Sequence, residues 1–250
     1  MEREEFLIKR AKELAKAAYQ RGIVTFTDFL NLNELHIVNS QNYRELGVSL
    51  ETFGGYEFAE RQIAAFLSDA LLFEWNYPIC CLKIQPKSQK FRDSLTHRDY
   101  LGSLLGLGIE RSTIGDILVD EDGAFVFCLE RIAPFLLENL IQVKKTSVTI
   151  TKIEHQEELP SPKVQTLVKT VASVRLDSLI AAAFQESRSS LKGLIEGGQV
   201  FVNGKLITSN GYHLREGDII SVRKKGKFRY SGISRETKKG RFSVTLERYI

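Results

Sequence analysis

The period of the apolar positions changes along the chain, and each change marks an element. Over residues 3–18, Leu7, Ala11, Leu14, Ala15 and Ala18 keep to one helical stripe among Lys and Glu, which predicts an amphipathic opening helix. A second helix is expected to start near Thr27-Asp28 and to include Phe29, Leu30, Leu32 and Leu35. Residues 48–53 then alternate like a strand and stop at Gly54-Gly55. These elements predict an N-terminal α/β domain over residues 1–78, ending at Trp75-Asn76-Tyr77-Pro78.

The middle segment orders itself as strand 79–85, helix 96–105, strand 114–119, strand 124–129, helix 130–140 and strand 147–153, with a turn at Glu121-Asp122-Gly123. That βαββαβ order is the ferredoxin-like plan shared by the RRM fold, and it predicts a central domain over residues 79–154. RRM sheets read RNA with aromatics on their inner strands, which makes Phe125 and Phe127 candidates. Against this, Ile79-Cys80-Cys81-Leu82-Lys83 offers no stacking platform, and Val126 and Cys128 leave strand 124–129 apolar on both faces. Burial against the N-terminal domain is the expectation for both Phe.

Charges and two Pro in the run from His155 to Pro162 predict a linker over residues 155–170, followed by a last domain over 171–250. There, Leu176, Leu179, Ile180, Ala183 and Phe184 follow helical spacing. Ser187 or Ser189 can cap a second helix with Leu191, Leu194 and Ile195 on its apolar face, leaving Arg188 and Lys192 one turn apart outside. A cation at a helix start opposes the macrodipole, and a bound phosphate would resolve the conflict. Gly197-Gly198 ends that helix, Asn203-Gly204 turns a hairpin between 200–202 and 205–207, and Arg215-Glu216-Gly217-Asp218 turns into strand 219–222.

This order of helices, caps, double Gly and hairpin resembles the S4 (αL) RNA-binding domain over roughly residues 171–225. The resemblance implies contacts to structured RNA from Arg175, Arg188, Ser189, Lys192, Asn203 and Lys205. Beyond it, Arg223, Lys224, Lys225, Lys227 and Arg229 interleave with Phe228 and Tyr230, and Arg235, Lys238, Lys239 and Arg241 follow. Such cations can reach phosphates while the rings pack or stack. Residues 242–246 alternate again, so the basic stretch reads as a β extension with a charged loop.

Charge sharpens this division. Residues 1–170 hold 20 Lys and Arg against 24 Asp and Glu, whereas residues 171–250 hold 15 against 7, so a net −4 segment precedes a net +8 one. A basic module on an acidic body points to a polyanionic partner. The three Cys, two of them adjacent, show neither a disulfide framework nor zinc spacing, and the four His are scattered, so no metal or other cofactor is expected. Apolar runs such as 63–67 and 79–82 are far too short for a membrane span, and the charged start is unlike a signal peptide; a cytoplasmic protein is expected.

A further stretch, from Leu95-Thr96-His97-Arg98-Asp99-Tyr100 through Gly106-Leu107-Gly108-Ile109-Glu110-Arg111 to Ile114-Gly115-Asp116-Ile117, makes the whole α+β, multi-domain chain resemble the bacterial YlmH family. The resemblance implies binding of rRNA and tRNA at the large ribosomal subunit and a part in rescuing stalled nascent chains. His97-Arg98-Asp99 echoes the kinase catalytic loop, but a Gly-rich loop and Asp-Phe-Gly are missing; capping explains it better, as a helix stop explains Gly106-Leu107-Gly108. Arg175-Leu176-Asp177 echoes the catalytic triplet of pseudouridine synthases, here at the opening of the αL module. The expectation is a non-catalytic RNA-binding protein. An RNA-modifying enzyme of the pseudouridine synthase or methyltransferase type, and a protein-protein adaptor acting through the N-terminal domain, are the alternatives.

Overall fold

A computed structural model of the chain describes residues 2–71, 73–88, 94–154, 159, 164–237 and 240–249, with the side chains of 2, 3, 188, 189 and 192 outside the description. The chain divides into two compact units, Met1–Pro160 and Ser161–Ile250. No helix among the described residues is long and apolar enough to cross a membrane.

In the first unit, helix α1 (Glu2–Arg21) buries Ala11, Ala15 and Ala18 along its apolar stripe. The second helix starts later than the apolar pattern suggests. Strand β1 (Thr25–Phe26) comes first, Leu30 bridges to Gln62, and α2 (Leu32–Asn39) opens only at Asn31. The Asn31 side chain accepts from the Asn33 and Glu34 N–H groups, and the Glu34 carboxylate accepts from the Asn31 N–H at 2.8 Å. This capping box satisfies orphan donors that a start at Thr27 would leave open. Strands β2 (Val48–Phe53) and β3 (Ile63–Ser68) complete an antiparallel sheet in the order β1-β3-β2. All six residues of β3 are buried.

The second sheet of this unit follows the expected element order. It holds β4 (Ile79–Pro86), α3 (His97–Gly106), β5 (Ile114–Val119), β6 (Ala124–Leu129), α4 (Ala133–Asn139), β7 (Gln142–Val143) and β8 (Thr146–Ile153), with strands antiparallel in the order β5-β6-β4-β8-β7. The Asp99 carboxylate accepts from the Thr96 N–H and hydroxyl, both at 2.8 Å, so His97-Arg98-Asp99 is a helix start. The last helix is shorter than expected because Glu130–Ile132 form a 3₁₀ turn and Pro134 then sits in the first α turn, where its missing N–H costs nothing.

One face of this sheet packs Leu82, Ile84 and Val126 against Tyr100, Leu104 and Leu136. The other sets Cys81, Phe125, Phe127 and Leu129 against Phe29 and Ile63, with Tyr56 stacked on Phe127 at 4.9 Å. Phe125 and Phe127 are therefore core residues, as their two-sided apolar strand implies. A β-carbon on Gly55, at φ +99°, would lie 2.4 Å from the Phe127 ring, so the close approach requires glycine.

Polar groups fix the junction of the two sheets. The Asp116 carboxylate accepts from the Tyr56 hydroxyl (2.8 Å) and from the N–H groups of Glu60 (2.7 Å) and Arg61 (3.1 Å). The Arg61 guanidinium donates to the carbonyls of Ile114 (2.9 Å), Phe29 (2.8 Å) and Arg111 (3.2 Å). Burial lowers the pKa of Arg61 from its ordinary value, and burial followed by the nearby Arg61 charge lowers that of Arg111 to about 10.

The second unit begins inside the expected linker. Residues 155–158 and 160–163 lie outside the described residues, but β9 (Val164–Val171) is a strand paired along its length with β14 (Phe242–Tyr249). Its polar composition reads as loop because only Leu167 and Val171 enter the core. Between these strands come α5 (Leu176–Phe184), α6 (Arg188–Glu196), β10 (Val200–Val202), β11 (Lys205–Leu206), β12 (Ile219–Val222) and β13 (Gly226–Glu236), giving the sheet order β11-β10-β12-β13-β14-β9. Leu176, Leu179, Leu191 and Ile195 of the helices pack on Val200, Ile220, Phe228, Tyr230 and Leu246 of one sheet face.

Replacing Asp116 by Ala removes the acceptor of three donors and is expected to lower unfolding free energy by about 2–4 kcal/mol. Urea unfolding reads this directly. Arg10→Ala, which breaks an exposed pair with Glu13 at 3.7 Å, serves as the control and should shift stability by no more than about 0.5 kcal/mol.

Candidate nucleic-acid interface

Helix α6 is started by Ser187, whose hydroxyl accepts from the Ser190 N–H at 3.2 Å. Arg188, Ser189 and Lys192 thus occupy its first turns, as expected, although their side chains lie outside the description. Before it, α5 ends on Gln185 in the left-handed region at φ +57°. The next residue, Glu186, forms an ion pair with Lys225 from the turn between β12 and β13, and this pair holds the Glu186 pKa below its ordinary value.

That ion pair joins parts of the chain that the sequence treats separately. It pins the turn carrying Arg223, Lys224 and Lys225 beside the start of α6. Apolar contacts reinforce it: Phe184 meets Phe228 edge-on at 5.9 Å, and the Arg248 guanidinium lies 5.1 Å from the Phe184 ring centre. Lys225 is consequently neutralised within the chain, whereas Lys224 is exposed in a left-handed conformation at φ +66°. Arg223 is exposed and lies over the fully buried Phe201 ring at 5.7 Å.

The hairpin after α6 has Asn203 and Gly204 at φ +47° and +76°, the two positive values of a type I′ turn. Asn203 is bonded inside the fold: its amide donates to Asp218 at 2.8 Å and its carbonyl accepts from the Ile219 N–H at 2.9 Å. Lys205, two residues on, is exposed. Arg175 likewise has an internal partner, since its guanidinium donates to both Asp177 oxygens at 3.2 and 3.1 Å. Asp177 is thereby a local helix-terminus carboxylate.

Alternation along β13 separates Phe228 and Tyr230, on the helix-covered face, from Lys227 and Arg229 on the opposite face. Arg229 lies 3.7 Å from Glu247 of the neighbouring strand. The eleven sequence candidates therefore fall into three sets. Arg188, Ser189 and Lys192 hold backbone positions in the first turns of α6, the turn with Arg223 and Lys224 is tethered beside Glu186, and Lys205 is on the hairpin that follows; Lys227 and Arg229 sit across the sheet. Arg175, Asn203 and Lys225 hold the scaffold. Sequence reasoning missed Glu186 and Arg248; the alternation of Val244, Leu246 and Arg248 along β14 is the signal that places Arg248 on the helix side.

Two family models match parts of the chain. The family described as "Putative RNA-binding domain in YlmH" matches residues 74–157, and the S4 domain family matches residues 174–220. A Bacillus subtilis (strain 168) protein, "Ribosome-associated protein quality control protein P2", is 30% identical over 249 residues, covering 98% of this chain and 95% of that one. The chain belongs to the YlmH family. A solved structure, "Cell division protein ylmH from Streptococcus pneumoniae", shares its fold at 21% identity with a TM-score of 0.52, over 63% of this chain and 95% of that one.

This YlmH-family chain thus carries RNA-binding domains, an S4 domain among them. Strands β9, β13 and β14 lie outside the S4 match, so its sheet is extended by three strands. The Lys225–Glu186 pair ties that extension to the matched core.

Asn203 and Lys205 separate scaffold from contact. Asn203→Ala should cost about 1–2 kcal/mol in thermal or urea unfolding through its two lost hydrogen bonds. Lys205→Ala should leave stability within about 0.5 kcal/mol while weakening RNA binding in a filter or mobility-shift titration.

Proposed function

We propose that the second unit grips folded rRNA or tRNA mainly through phosphates, and that the protein acts without catalysis on the large ribosomal subunit, in quality control of stalled translation in the cytoplasm. The observation that carries this reading is the ion pair between Lys225 and Glu186. It brings a basic turn to a helix N-terminus whose free N–H groups already favour an anion. Arg188, Lys192, Lys205 and Lys224 then supply charge, and the rigid hairpin supplies register. The name of the Bacillus subtilis relative supports the ribosomal setting. The β5-β6-β4-β8 order supports reading residues 79–154 as a ferredoxin or RRM-like domain whose aromatic strand is used for packing.

If Arg188, Lys192 and Lys205 each neutralise about one phosphate, the triple Ala variant flattens the dependence of log K on log salt by roughly two to three units. An unchanged slope rejects the assignment. Sedimentation with separated ribosomal subunits tests the setting: wild type should travel with the large subunit at moderate salt, and Lys192→Glu should stay in the supernatant.

A further inference from the structure

The first unit contains an open cleft of about 710 Å³, within the roughly 300–1,000 Å³ typical of binding pockets. One wall comes from β2 and the other from β4, β6 and the end of β8, with residues 75–77 between them. The aromatic side chains here form a connected group. Trp75 meets Tyr77 edge-on at 4.9 Å, Tyr77 lies 5.4 Å from Phe53, and Phe26 stands 5.8 Å from Trp75. Trp75 and Tyr77 remain half-buried, so part of each is open to a ligand.

Charge decides what that ligand is. Among the described residues, Glu51, Glu130 and Glu154 line the opening, all exposed, against one cation, Lys152, which lies 3.9 Å from Glu154. A phosphate chain entering the cleft would meet a net negative rim, although the surrounding residues match an RNA-binding family. A cation gains twice, from the carboxylates and from the ring faces. Burial and then the Glu51 charge raise the Tyr77 pKa, which places that carboxylate in the field of the ring group.

We propose that this cleft binds a basic peptide segment of a partner protein, seating an Arg or Lys side chain among Phe53, Trp75 and Tyr77 with its charge toward Glu51 and Glu130. Arg suits the site better than Lys, because a planar guanidinium stacks on rings while its N–H fork meets carboxylates. The cleft lies wholly in the first unit, so the inference stands apart from RNA binding by the second.

Trp75 is the single Trp of the chain, so its fluorescence reports on this cleft alone. Titrating the full chain with a Gly-Arg repeat peptide should change the Trp75 emission saturably, while a Gly-Glu repeat peptide and oligouridylate should leave it unchanged. Glu51→Gln with Glu130→Gln should weaken the Gly-Arg affinity by roughly tenfold, about 1.4 kcal/mol, and Glu4→Gln on α1 should not. Glu130→Gln alone gives the same direction should the double variant fail to fold. The proposal is overturned by no saturable change, by equal affinity in the Gln variants, by a response to oligouridylate, or by an emission that varies with protein concentration alone, which would mark a second copy as the occupant.

Discussion

The junction of Asp116 with Arg61 is the constraint on which the first unit depends. Arg61 reaches past the start of β3 to donate to carbonyls of Phe29, Arg111 and Ile114, while its own N–H and that of Glu60 are held by Asp116 on β5. Two sheets joined only by apolar side chains could slide, since burial is non-directional. Six directed hydrogen bonds to two side chains fix one registration, and with it the stacking of Tyr56 on Phe127 and the fit of Gly55 beside the same ring. The cleft beside β2 and β4 is a result of that fixed spacing. Without these acceptors the half-buried Arg61 guanidinium would lose its hydration with nothing in exchange, and burial already disfavours its charged form.

In the second unit, charges do two different jobs. Arg175, Lys225 and Arg229 face Asp177, Glu186 and Glu247, so most of their charge is balanced inside the fold. Among the described residues, Lys205 and Lys224 carry no such pair and are exposed. In the proposed reading, phosphate binding gains counterion release from cations that are not already neutralised, and among the described residues Lys205 and Lys224 are such cations. The paired residues contribute by position. Lys225 matters because its tether to Glu186 sets where Arg223 and Lys224 stand.

Local patterns made much of this legible and long-range ones did not. The Asn203-Gly204 turn, the Ser187 cap and the β4 to β8 element order follow from neighbours a few residues apart. Strand β3 is buried on both faces, so it shows an apolar run in place of alternation. Strand β9 looks like linker because its partner, β14, lies at the far end of the unit. The apolar pattern starts α2 near Thr27-Asp28, but the reciprocal bonds of Asn31 with Glu34, formed across three residues, set its start four residues later. At the site, residue type identified the cations, but only packing could show that the partner of Lys225 is Glu186, 39 positions away.

The two units carry opposite charge, with 18 Lys and Arg against 24 Asp and Glu in the first and 17 against 7 in the second. By net charge alone, a polyanion is attracted to the second unit and disfavoured at the first over about a Debye length, even though residues 74–157 match an RNA-binding domain family. In a uniformly basic protein, any face could hold nucleic acid loosely. Here the net charge of the first unit disfavours such loose, non-specific holding of a polyanion. The same field makes the aromatic cleft a poor site for a phosphate chain and a good one for a cationic side chain, which leaves the first unit free to meet a partner of the opposite charge to that held by the second.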